Sequence, residues 1–238
     1  MEALPPSKDL GYYVFMSART LQFDEGEYYH ICNHGVEGRD LVMGQDDRDR
    51  FMLGLVAFND TETIGSLYEQ SFRKKKKRKP LVDVIAYCLN PNHFHLLLSP
   101  LAEHGLQKYL HRLCTAYAMY FNEKYKRKGR LFQGKFRARH ISNNDDLLYT
   151  SVYVSRNNEV HQIRGVASKL VRSSWPEYMG QIKRGNEICK KDIIFDQFEN
   201  INRLKIYADE SLALMRENKE GEQDEEVKRF LLGGVASK

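Results

Sequence analysis

The sequence predicts an α+β fold: an antiparallel sheet with helices packed against it. Three observations predict it. β-favouring runs alternate with segments of helical period. Two apolar runs, residues 81–89 and 93–99, are separated only by the turn-forming Asn90-Pro91-Asn92, which implies an adjacent antiparallel pair. Hydrophobic residues make up 42% of 238, enough to bury a sizeable core.

The first ~25 residues have little periodicity and read as a lead-in. Residues 27–33 are aromatic and β-favouring, with Gly35 just beyond, and predict a strand. Residues 46–58 place Phe51, Leu53, Leu55 and Val56 at helical spacing, with Asp46 or Asp47 as cap. The unbroken basic run 73–79 repels itself and predicts an exposed loop. Residues 106–125 repeat apolar groups with helical period (Leu106, Tyr109, Leu110, Leu113, Tyr117, Phe121) and end strongly basic. A strand over 134–141 follows, then a helix from Asn144 or Asp145 to about 157. Residues 1–180 thus form one domain. Residues 181–238 form a helical extension, with Leu204, Tyr207, Leu212 and Met215 on an apolar face. The acidic, polar stretch 217–226 has a composition that predicts disorder.

The net charge of +5 and pI near 8.9 favour a polyanionic partner. No apolar run approaches the ~20 residues of a membrane span, and the N-terminal residues lack a signal-peptide pattern. The four cysteines are scattered, which fits reduced thiols of the cytoplasm and argues against a disulfide framework or a zinc site.

The chemistry concentrates at Asn92-His93-Phe94-His95-Leu96. Residues two apart on a strand face the same side, so His93 and His95 project together while Phe94 faces the core. Two imidazoles so placed can share a divalent ion, although a bare His-x-His is more often two ordinary histidines. Mg²⁺ or Mn²⁺ takes mostly oxygen ligands, so the pair needs a further oxygen donor.

The segment Tyr87-Cys88-Leu89-Asn90-Pro91-Asn92-His93-Phe94-His95-Leu96-Leu97 resembles the signature of the HUH-type single-tyrosine transposases, close to their REP-associated branch. Three further stretches fit in the same order. These are Tyr29 to Gly35, Gly129-Arg130-Leu131-Phe132-Gln133-Gly134-Lys135-Phe136-Arg137, and the stretch from Leu148 to Asn157. The resemblance covers about residues 27–180. It implies a ferredoxin/RRM-like HUH core and a transposase that cuts and rejoins single-stranded DNA through a 5′-phosphotyrosine intermediate. It further implies Tyr153 as the nucleophile and His93, His95 and Asn157 as ligands of Mg²⁺ or Mn²⁺. The implied partner is hairpin-bearing single-stranded DNA in the cytoplasm, at the nucleoid, bound by a monomer or homodimer without a membrane. Asn157 follows Tyr153 by one helical turn, which puts nucleophile and oxygen donor on one face. The chain has 14 tyrosines, and Tyr149, one turn earlier, is the rival nucleophile. Val152 stands where the family commonly has arginine, and Asn158 where it has proline. These departures define the alternative, a domesticated hairpin-binding protein that no longer cuts.

Basic residues interleaved with aromatics suit a single strand, with cations on phosphates and rings under bases. The residues expected to face DNA are Arg73, Lys74, Lys75, Lys76, Lys77, Lys126, Arg127, Lys128, Arg130, Gln133, Lys135, Arg137 and Arg139, whereas Phe132, Phe136 and the single Trp175 read as structural.

Overall fold

The computed structural model describes residues 16–17, 21–62, 79–183 and 185–233. The elements are β1 (Met16–Ser17), β2 (Tyr28–His34), α1 (Gln45–Ala57), β3 (Val82–Leu89), β4 (His93–Pro100), α2 (Gly105–Lys124), β5 (Arg137–Ile141) and α3 (Asn144–Ser155). Then come α4 (Asn157–Val160), β6 (Arg172–Ser173), α5 (Trp175–Tyr178), α6 (Asp192–Phe195) and α7 (Ile201–Gly233). Among the described residues the strands form a six-stranded sheet of order β1-β5-β2-β4-β3-β6, with every pairing antiparallel. Its central order, β5-β2-β4-β3, with helices α1 and α2 on the crossovers, is the ferredoxin-like arrangement expected.

The alternation along β4 divides the molecule. Phe94, Leu96 and Leu98 enter a core with Phe51 of α1 and Tyr109, Leu113 and Phe121 of α2. Leu97 enters the opposite core with Leu148 and Val152 of α3 and Leu204, Tyr207 and Leu212 of α7. Each such side chain, once fully buried, contributes about 1.5–3 kcal/mol of transfer free energy. The histidines share Leu97's side of the strand, so they lie under α3, while Phe94 anchors the strand from behind.

Several boundaries move from their expected places, each for a physical reason. Gly44 is the N-cap of α1, and Asp47 sits at N3, accepting the backbone N–H groups of Met43 and Gly44. Leu53 and Val56 are exposed, so the apolar stripe of α1 is narrower than its composition. The strand expected over 134–141 begins at Arg137, because the segment before it is tied crosswise to β2 by Gln133 N–H to His34 O (2.9 Å). The helix expected to run to residue 157 breaks at Arg156, whose ψ of 21° interrupts it. The stretch 217–226 continues α7 as helix. Once packing of Leu204, Tyr207, Ala208 and Leu212 has nucleated α7, propagation costs little per residue. The four cysteines are free thiols. No helix among the described residues is long and apolar enough to cross a membrane.

Candidate active site

The turn between β3 and β4 builds the histidine pair. Asn90 N–H donates to His93 O (2.8 Å), and Pro91 O accepts the N–H groups of Leu41 and Val42. Gly35 N–H donates to Asn92 O at 2.8 Å, and a Cβ on Gly35 would lie 2.0 Å from Arg39 O. Only glycine lets the chain pass this close to the Arg39 backbone.

Side chains then fix His93. Asn92 Oδ1 lies 2.6 Å from His93 Nδ1. An amide oxygen can only accept, so Nδ1 carries the hydrogen and Nε2 presents the lone pair. The Cys88 thiol donates to Asn90 Oδ1 (3.4 Å), which turns Asn90 Nδ2 toward His93 Nε2 (2.8 Å) and Asn157 Oδ1 (2.7 Å). His93 Nε2 and Asn157 Oδ1, both acceptors, stand 3.2 Å apart. Asn157 is fully buried, and its Nδ2 has no hydrogen-bond partner among the described residues. Lone pairs converging in a buried place fit a cation, so the donor set suits a divalent ion.

His95 is held from the neighbouring strand. Its Nδ1 lies 2.8 Å from His30 Nε2 on β2, and its ring is edge-on to His93 with centroids 5.2 Å apart. His34 stacks on His93 at 5.1 Å, and His161, just past α4, meets His93 at 5.0 Å. Ligand atoms of His93, His95 and His161 all lie within 4.8 Å of one another. Burial drives these imidazoles toward neutrality. It pushes His93 down to about 3, aided by His161, and His30 to about 3, aided by Arg139. Burial and the Lys219 charge push His161 to about 4, and burial with His30 holds His95 well below the ordinary range. At neutral pH His30, His93, His95 and His161 are therefore uncharged rings. Burial raises the Cys88 thiol to about 12, so it stays protonated.

The structure places Tyr153 beside this cluster. Its ring is edge-on to His95 (5.5 Å) and to His30 (5.6 Å). Tyr149 is instead buried in the core shared with α7. Val152 is also core. Arg156, between α3 and α4, bonds Glu159 (2.8 Å) and Asp209 of α7 (2.5 Å) and lies over the Trp175 ring at 4.9 Å. These contacts tie the break between α3 and α4 to α7 and α5.

The basic residues divide. Arg73, Lys74, Lys75, Lys76 and Lys77 lie outside the described residues. Lys128, Arg130, Gln133, Lys135 and Arg137 are exposed, and the irregular segment 129–136 is pinned next to the histidine end of β2 by an isolated bridge between Gly35 and Phe132. Lys126 pairs with Glu123 (2.9 Å) at the surface, and Arg127 leans over Phe121. Arg139 departs from expectation. It grips Asp146 (2.5 and 2.9 Å) and Thr150 (2.7 Å), leaving its side chain 16% exposed, so it ties β5 to α3 rather than facing DNA. Phe132 and Phe136 pack on the core as expected.

Residues 60–158 match the model of the family described as transposase IS200 like. Over this stretch the chain is similar to IS200-like transposases. It contains His93, His95, Tyr153 and Asn157, whereas β2, His161 and α7 lie outside the matched residues. A solved structure of a REP-associated tyrosine transposase bound to a REP hairpin is similar in fold, with a TM-score of 0.50 and 12% identity. The alignment covers 70% of this chain and 87% of that one. No curated protein matches the chain. The resemblance read from the sequence and the α+β fold therefore both hold.

The sequence reading missed His30, His34, Asn90, Asn92 and His161 as parts of the site. Asn90 and Asn92 carried a signal as turn formers next to the pair. His30 and His161 carried none, because only strand pairing and the α3–α4 break bring them in.

Proposed function

We propose that this chain is a transposase that cuts and rejoins single-stranded DNA, with Tyr153 as nucleophile and a divalent ion, Mg²⁺ or Mn²⁺, held by His93, His95 and Asn157. The observation that carries the proposal is the convergence of Tyr153, His95 and Asn157 from separate elements, with Asn157 Oδ1 3.2 Å from His93 Nε2 and the Tyr153 ring 5.5 Å from His95.

Free tyrosine has a pKa near 10, so ionising it at pH 7 costs about 4 kcal/mol. An ion held by His93, His95 and Asn157 would supply positive charge beside the scissile phosphate and so offset that cost. Tyr153 Oη forms a bond to phosphorus as the bond to the 3′-oxygen breaks. The phenolic proton is lost and the departing 3′-oxygen ends protonated. The 5′-phosphate stays on Tyr153 until another strand's 3′-OH displaces it and restores the phosphodiester. The phosphotyrosine conserves the bond energy, so no nucleotide cofactor enters. Lys126, Arg127, Lys128, Arg130, Gln133, Lys135 and Arg137 hold the strand by its phosphates. The partner is hairpin-bearing single-stranded DNA, met in the cytoplasm at the nucleoid.

The test is incubation with Mg²⁺ or Mn²⁺ and end-labelled hairpin DNA. A covalent adduct is expected for the native chain and for Tyr149→Phe, and none for Tyr153→Phe. An adduct that persists in Tyr153→Phe refutes the assignment. Tight hairpin binding with no adduct supports the binding-protein alternative instead.

A further inference from the structure

The long helix α7 reaches the site with a cation. Asp209, Arg216 and Lys219 follow one another along it and grip Arg156 (2.5 Å), Glu159 O (3.1 Å) and His161 in turn. In the last contact, Lys219 Nζ stands 2.6 Å from His161 Nδ1. A lysine ammonium has only hydrogens to give, so Nδ1 must be the acceptor and His161 Nε2 must carry the ring hydrogen. A neutral imidazole has one lone pair, and Lys219 occupies it. Yet His161 lies within ligand distance of His93 and His95, with all the ligand atoms inside 4.8 Å.

We infer that His161 is an additional ligand of the ion held at His93 and His95, and that Lys219 competes with that ion for its lone pair. An ion bonded to Nδ1 displaces Lys219 directly. An ion bonded to Nε2 moves the hydrogen to Nδ1, where the ammonium can no longer donate. Either way, ion binding at His161 and the Lys219 contact exclude one another, so α7 sets the metal affinity. A third imidazole also turns the site toward nitrogen-seeking ions such as Co²⁺ and Zn²⁺ and away from Mg²⁺. The inference rests on the metal-site reading above, and its residues His161 and Lys219 lie outside the matched transposase stretch.

The test is Co²⁺ titration of the full chain, read by visible absorption and calorimetry, with melting curves for every variant. His161→Ala is expected to weaken Co²⁺ binding at least about tenfold, and Mg²⁺ binding by a smaller factor, because Mg²⁺ gains less from an imidazole. Lys219→Met is expected to tighten Co²⁺ binding about three- to tenfold, the net worth of one ordinary hydrogen bond. In the His161→Ala background Lys219→Met should change nothing, because the competition is gone. Tightening by Lys219→Met that survives His161→Ala means simple charge repulsion and overturns the competition. Co²⁺ binding unchanged in His161→Ala but lost in His95→Ala overturns the inference and leaves the proposed function intact. Binding unchanged in both variants overturns the metal site itself. Should His161→Ala melt early, His161→Gln replaces it under the same criteria.

Discussion

His30 decides whether His95 can bind a metal, which makes it a sharp test of the site. The rings meet at 2.8 Å, His30 Nε2 to His95 Nδ1, with His30 fully buried on β2. If His30 donates, His95 Nε2 carries hydrogen and cannot be a ligand. If His95 Nδ1–H donates, Nε2 presents its lone pair toward His93, from which its ring is 5.2 Å away. A metal role therefore requires His30 as acceptor, the role that carboxylates or carbonyls usually fill behind metal-bound histidines. His30→Leu fills similar space but accepts nothing. Loss of such a partner typically costs about 10–100-fold in metal affinity, or ~1.4–2.7 kcal/mol. His30→Gln can still accept through Oε1 and should keep most of the affinity. Mn²⁺ binding followed by the loss of the free-ion EPR signal measures both. A His30→Leu protein that melts like the native chain and binds Mn²⁺ within about twofold of it would refute the reasoning.

Other consequences follow from the same geometry. Without metal, the neutral histidines make stability fall with acid. Burial lowers His30 and His93 to about 3 and His161 to about 4, from an ordinary 6.5. Between those values the unfolded chain binds protons that the folded chain refuses, so the melting temperature should drop as pH falls from about 6.5 toward 4. A flat profile over that window contradicts neutral burial. Asp47 adds a second, lower step. Hydrogen bonds from Lys124 and Tyr125 outweigh burial and hold its carboxyl below 3.8, so its stabilisation is present above that value and lost as pH falls through the depressed one. Asp47→Asn should remove the step. Arg139→Ala strands the buried Asp146 and should cost about 3 kcal/mol, read as a lower melting temperature. Lys135→Ala should leave melting unchanged and reduce the salt slope of single-strand binding by about 0.7. The reverse pattern would exchange their roles.

The fold was largely legible because its signals are local. The turn Asn90-Pro91-Asn92 between apolar runs announced the β3–β4 hairpin, and period alone announced α1 and α2. The facing of His93, Phe94 and His95 followed from strand alternation, and the proximity of Tyr153 and Asn157 from helical spacing, even though the helix breaks between them at Arg156. What stayed hidden depends on long-range partners. His30 reaches His95 only through the β2–β4 pairing, and His161 reaches His93 only after the chain turns past α4. Arg139 looked like its exposed neighbours because a run of basic residues does not reveal that Asp146 waits on the next helix. Asp47 was seen as a cap by residue type, but which backbone groups it accepts depended on Gly44 taking the extended conformation.

In the reaction proposed for this chain, Tyr153 carries the DNA. The most direct measurement digests the protein–DNA adduct with protease and nuclease and sequences the modified peptide by mass spectrometry. A 5′-linked nucleotide is expected on Tyr153, within the tryptic peptide of residues 140–156 that also holds Tyr149. A nucleotide on Tyr149 or on any other tyrosine contradicts it.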